Sequence, residues 1–365
     1  MNIILIILVF GVIIFFHELG HFIVAKINHI TVKEFSMGFG PKLFQFHKKE
    51  TQYTLRLIPL GGYCMMLSED DEENENDENS FEKKSIWARM AGVLAGPAMN
   101  FVIAFLFSMV IIHFCGSDPA IIGAVYNKDN IEKYQIKNAE EYFNGVYPAE
   151  EAGISDGDRV LKIEGSTVKN FRELQIYLQI YGDGSPIDLT LEKEDGTVYD
   201  TTVHPAKTPD GYKIGIMSVG YQLPKNFGEL CKYSAYETRY WVKATFLSLK
   251  LIVTRQVSSD EVSGPVGVAK NMNDTFNEAA KSSVLDLFLN WMNYIVLLSA
   301  NLGVMNLLPI PGLDGGRFIF LLIEAVTRKK VPKDKENIVT LIGFVLVMLL
   351  MVVILFNDIK NVFFH

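Results

Sequence analysis

Four apolar stretches decide what this 365-residue chain can become: residues 3–25, 91–114, 285–308 and 338–356. A helix needs about 20 apolar residues to cross the hydrocarbon core of a bilayer. The last stretch, TLIGFVLVMLLMVVILF, is nearly uninterrupted. The first lacks a basic leading region and a small-residue cleavage site, so it is expected to be retained rather than removed as a signal peptide. The expected fold is a multi-pass α-helical membrane protein with four transmembrane helices. Composition agrees: 49% of the residues are hydrophobic, high for a soluble chain of this length. A net charge of -8 and the lack of a basic stripe with interleaved aromatics argue against a nucleic-acid partner. Cys64, Cys115 and Cys231 are scattered, which suggests neither a disulfide framework nor a CxxC metal site.

Positive charges orient the spans. Nine lysines and arginines, from Lys26 to Arg89, lie between the first two stretches, and Arg328, Lys329, Lys330, Lys333 and Lys335 precede the fourth. Both segments are expected in the cytoplasm, with the N-terminus and residues 115–283 outside. The chain then divides into 1–114, with two spans; 115–206, a small external domain; 207–283, an external amphipathic linker; and 284–365, with two further spans. Residues 53–67 (YTLRLIPLGGYCMML) are too short and broken to span, and Gly61-Gly62 suggests a hairpin turn against the membrane. The acidic run 68–80 reads as a flexible loop. In the external domain, 159–163 and 187–191 read as strands between turns, and 170–180 as a helix. Residues 227–257, with Tyr233, Tyr236, Tyr240 and Trp241, read as an amphipathic helix at a membrane interface.

The strongest chemical signal lies in the first apolar stretch, at His17-Glu18-Leu19-Gly20-His21. On a helix, positions i and i+4 share a face, so two imidazoles can grip one zinc ion with Glu18 beside the open coordination position. Ionisable residues inside an apolar span are costly and default to function. A zinc site needs a third protein ligand. His29, His47, His113, His204 and His365 all fall at the wrong depth, so a carboxylate is expected. Asp286 begins the third stretch at the outer face, and Glu324 adjoins the cytoplasmic basic run. Asp314 lies just beyond the inner half of the third stretch, in a segment broken by Pro309, Pro311, Gly312, Gly315 and Gly316. Broken backbone at membrane depth is tolerated where it lines a wet cavity. Asp314 is therefore the expected third ligand.

These motifs together resemble the bacterial site-2 proteases, zinc metalloproteases of regulated intramembrane proteolysis. The HExxH pairs with an NxxPxPxLDGG segment, Asn306 to Gly316, and Gly96-Pro97-Ala98-Met99-Asn100 and Ser263-Gly264-Pro265-Val266-Gly267 match further family features. Residues 148–154 and 157–163 resemble a PDZ domain, one where some relatives have two. The resemblance implies Zn2+ held by His17, His21 and Asp314, Glu18 as general base, and Asn306 as a substrate-positioning group or a plain polar link between helices. It implies substrates among single-span membrane proteins, such as anti-sigma factors and remnant signal peptides, already trimmed outside by a site-1-type protease. The expected location is the bacterial cytoplasmic membrane, among lipid, with the active site near the cytoplasmic side and the PDZ-like domain outside as a filter or spacer. Two other readings are a transporter or channel, for which no inverted repeat is visible, and a membrane PDZ scaffold with a structural zinc, which would want four protein ligands.

Overall fold

A computed structural model describes residues 2–67, 77–128, 142–254 and 264–364. In chain order its helices are α1 (Asn2–Ile27), α2 (Ile86–Cys115), α3 (Pro148–Glu151), α4 (Phe171–Ile180), α5 (Phe227–Val253), α6 (Pro265–Ser282), α7 (Val284–Leu307), α8 (Asp314–Thr327) and α9 (Lys333–Phe364). The strands are β1 (Val32–Lys48), β2 (Thr51–Met66), β3 (Ile122–Val125), β4 (Arg159–Ile163), β5 (Ser166–Thr167), β6 (Ile187–Glu192), β7 (Val198–Val203), β8 (Ala206–Thr208), β9 (Gly211–Lys213) and β10 (Ile216–Ser218). The chain divides into two compact units, one of Met1–Ser108 with Trp241–His365 and one of Met109–Tyr240. Most of the acidic run 68–80 lies outside the described residues.

The first unit combines long helices with the β1–β2 sheet. Among the described residues, α1, α2, α7 and the body of α9 are long and apolar enough to cross a membrane. Its core joins Val9 and Ile13 of α1, Ile103 of α2, Met272 and Phe276 of α6, and Ile295 of α7. Helix α9 leaves Leu341, Leu346, Leu349 and Val353 more than half exposed. Such a face has no stable place in water and suits lipid. Asp358 of α9 is the polar exception. Buried, it accepts the backbone N–H groups of Gly264 (2.8 Å), Val266 (2.9 Å) and Gly267 (3.0 Å), and so caps the N-terminus of α6. That contact gives the Gly264-Pro265-Val266-Gly267 motif its physical role. A Cβ at Gly264 would meet Ile354 and Asp358.

Strands β1 and β2 depart from the expected hairpin. The turn lies at Lys49-Glu50, where Lys49 adopts φ 54°, and not at Gly61-Gly62. Around that turn Phe46 pairs with Tyr53 and Lys48 with Thr51. Ser36 and Met37 pair antiparallel with Tyr63 and Gly62, yet Phe35, Ser36 and Met37 also run in step with Tyr53, Thr54 and Leu55. The two strands thus fold back into four ribbons, in the order 42–48, 51–56, 34–37, 62–66. Gly61 (φ +101°) allows the bend, since a Cβ there would strike the Phe39 ring. Arg56 is satisfied within the sheet by Glu34 (3.0 Å), Ser36 (2.9 Å) and the Tyr63 hydroxyl (2.6 Å).

The second unit carries a four-stranded sheet, β5-β4-β6-β7, with the pairs β3–β10 and β8–β9. The strands expected at 159–163 and 187–191 are β4 and β6. Asn170 caps α4 by accepting the Glu173 N–H (2.8 Å), while the Glu173 carboxylate accepts the Lys169 N–H (2.8 Å), a reciprocal arrangement that starts the helix where its sequence signal does. Leu174 of α4 is buried, as are Val160 and Ile163 of β4 and Leu189 and Leu191 of β6. Tyr177 of the same helix is also buried, while Leu178 is only half-buried. Leu174→Ala should cost about 2–5 kcal/mol. Hydrogen exchange should show faster opening of amides in 109–240, with those of α1 unchanged.

Candidate metal centre

His17 and His21 sit one turn apart on α1, both nearly buried at 8% and 9% exposure. Asp314 opens α8 after the chain breaks at 308–313, so its carboxylate lies at a helix N-terminus, where negative charge is favoured. The structure brings these three together. His17 Nε2 is 3.3 Å from His21 Nε2, Asp314 Oδ2 is 3.2 Å from His17 Nε2, and it is 3.4 Å from His21 Nε2. Among the described residues they form the one group of three such side chains able to share a metal ion. Zinc with bonds of about 2.0–2.1 Å in a tetrahedron spaces its ligand atoms about 3.3–3.4 Å apart. The three atoms match one face of that tetrahedron, and Asp314 Oδ2 is buried with no hydrogen-bond donor. The donor set therefore fits zinc and leaves a fourth corner free.

Glycines let the helices come this close. A Cβ at Gly20 would lie 2.3 Å from the Ala95 carbonyl oxygen, so α1 and α2 touch backbone to backbone there. A Cβ at Gly96 would lie 2.3 Å from His21 Nε2 and 2.7 Å from His17 Cε1, so the rings occupy the space that a side chain would fill. Gly315 and Gly316 do the same for α8 against the carbonyls of Leu308 and Ile310.

Beside these three side chains lies a cavity of about 360 Å³, lined by Glu18, Tyr63, Cys64, Met66 and Arg317 among others. The ribbon 62–66 is an outer edge of the sheet, and Gly62 packs against the Glu18 side chain. The Cys64 N–H faces the Glu18 carboxylate. Burial, aided by the Glu18 charge, pushes the Cys64 thiol up to about 12. Cys64 is not among the side chains close enough to share a metal ion with His17, His21 and Asp314.

The rejected carboxylates have other partners. Glu324 is held by Arg89 in a two-pronged ion pair (3.0 and 2.5 Å), which ties α8 to α2. The Asp286 carboxylate accepts the Ser282 hydroxyl, and the Asp286 backbone N–H donates to Ser283, the N-cap of α7. Asn306, half-buried at the end of α7, is not among the residues that line the cavity. Sequence reasoning passed over Tyr63, Cys64 and Arg317, whose approach depends on the sheet and on one further turn of α8. It quoted Asn100 only as part of a motif, although a polar residue within an apolar span was a usable signal.

The sequence matches the peptidase family M50 over residues 5–350. The chain belongs to peptidase family M50. That places the site-2 protease motifs in one family architecture over nearly the whole chain. A provisionally named zinc metalloprotease of Clostridium acetobutylicum is 37% identical over 360 residues, covering 98% of this chain and 97% of the relative. The zinc metalloprotease RasP of Geobacillus kaustophilus is 32% identical, with 99% and 98% covered. The regulator of sigma-W protease RasP of Bacillus subtilis is 30% identical, with 98% of each covered. In this M50 chain, Gly96→Val should force both imidazoles out of register. Elemental analysis of the purified protein should show metal affinity reduced about tenfold or more.

Proposed function

We propose that this M50 peptidase is an intramembrane zinc metalloprotease of the site-2 type, with zinc held by His17, His21 and Asp314. The observation that carries the proposal is the triangle of ligand atoms, 3.2–3.4 Å on each side, with Glu18 beside its open corner. The zinc metalloprotease names of the relatives support the choice of metal. When bound, zinc supplies the Lewis acidity that makes water a nucleophile near neutral pH. Glu18 takes the proton from the attacking water and returns it to the leaving amide nitrogen. His17 and His21 are held rigid from α2, and Asp314 is held by the glycine-packed start of α8. A three-ligand set with a carboxylate beside the open corner suits catalysis better than a structural site, which is closed by four ligands.

The substrate class follows from the setting. A transmembrane helix hides its carbonyls in its own hydrogen bonds and must unwind before it is cut. The ribbon 62–66 offers the unwound segment a partner, as in β-augmentation. The Leu67 N–H turns inward to the Thr31 carbonyl (2.8 Å), so alternation turns those of Met66, Cys64 and Gly62 outward. The ribbon 51–56 cannot serve in this way, because the sheet encloses it on both sides. Asn306 at the end of α7 is assigned to steadying the substrate backbone. Single-span anti-sigma factors and remnant signal peptides are the proposed substrates, and the sigma-W regulator name of the Bacillus subtilis relative supports the former. A site-1-type protease would act first. The charge pattern favours four spans in the bacterial cytoplasmic membrane, cytoplasm-proximal chemistry, and an external PDZ-like unit that filters untrimmed substrates.

Two variants test the reading. Glu18→Gln should retain zinc and lose cleavage of a single-span substrate by about 10²–10⁴-fold. Appreciable turnover by that variant overturns the assignment. Met66→Pro removes one outward N–H without touching the inward ladder. Cleavage should fall about tenfold with zinc retained, and unchanged cleavage would argue that the ribbon only supports the helices.

A further inference from the structure

An imidazole can offer its Nε2 lone pair to a metal only when its proton sits on Nδ1. His21 meets that condition, because its Nδ1 lies 2.8 Å from the Gly92 carbonyl oxygen, which can only accept. His17 faces a side chain instead. Its Nδ1 lies 3.1 Å from the Asn100 amide nitrogen. In that orientation Asn100 would donate, so the His17 proton would sit on Nε2, pointing into the ligand triangle. Asn100 is fully buried (0% exposed), and its Oδ1 has no hydrogen-bond partner. The two ends of an amide have nearly the same shape, so a half-turn about the last side-chain bond leaves the packing unchanged. The half-turn gives Oδ1 a donor, the His17 Nδ1–H, and clears Nε2 for a metal.

We propose that Asn100 is a positioning residue whose side-chain oxygen accepts the Nδ1 proton of His17 and holds that ring in its metal-binding tautomer. The inference rests on the zinc reading above and extends it to α2. Gly92, Gly96 and Asn100 lie at i, i+4 and i+8 on one stripe of that helix. The Gly92 carbonyl sets His21, Gly96 leaves room for both rings, and Asn100 sets His17. One helix thus supplies both orienting acceptors for the two histidines of the other.

The test uses the full-length protein in detergent, with zinc affinity read by chelator competition and the cobalt-substituted protein read by its visible spectrum. Asn100→Leu keeps the size and removes the acceptor, and zinc affinity should fall about 10- to 100-fold, with a changed cobalt spectrum. Asn100→Asp keeps an acceptor at the same place and should restore zinc affinity and the cobalt spectrum to those of the unmodified protein. Packing damage alone would not be repaired by a buried carboxylate, so rescue by Asp separates positioning from structure. Full affinity in the Leu variant, or equal weakening in the Leu and Asp variants, overturns the role of Asn100 and leaves the zinc reading intact. If the unmodified protein binds no zinc, the zinc reading falls and this inference with it.

Discussion

Helices α1 and α2 meet without side chains between them at Gly20 and share the space beside Gly96, and the site depends on that contact. The His17 and His21 rings fill the room that a Cβ on Gly96 would take. Polar rings buried among apolar helices need partners, because an unpaired buried polar group is costly. Here α2 supplies the partner at each Nδ1, and Asp314 supplies the negative charge at the Nε2 side. The same close approach that makes burial possible also fixes the direction of the ligand atoms.

Asp314 reaches this place because the chain breaks between α7 and α8. Pro309 and Pro311 prevent one continuous helix, Gly312 turns with φ +97°, and Gly315 and Gly316 let α8 begin against the carbonyls it has just left. The far end of α8 is tied to α2 by Arg89 and Glu324. Helix α2 therefore holds the histidines directly and braces the far end of the helix that Asp314 opens.

The sheet contributes a different constraint. Backbone beside a membrane-embedded site must have its hydrogen bonds met, and the β1–β2 fold-back meets most of them internally. Two edges stay open, the ribbons 42–48 and 62–66, and the second lies where Glu18 and the cavity are. The period-2 pattern and the Gly61-Gly62 pair made some strand pairing legible, but they suggested a turn at the glycines. The glycines instead serve a bend and a close contact with Phe39 and Glu18. Which ribbon lies outermost is a matter of register, and register among three neighbours is not written in a local pattern.

Length and hydropathy alone determined the four long apolar helices, because each must satisfy its own backbone in an apolar setting. Helical spacing alone put His17 and His21 on one face with Glu18 beside them, and depth alone favoured Asp314 over Asp286 and Glu324. Tertiary structure decided the rest. It put the side-chain atoms of His17, His21 and Asp314 at the separations of a zinc tetrahedron, set an open strand edge at 62–66 beside Glu18, and left Asn306 off the cavity wall. It also set Asn100 against His17. Those outcomes depend on how closely two helices approach and how a sheet folds back, and both are properties of packing between residues far apart in the chain.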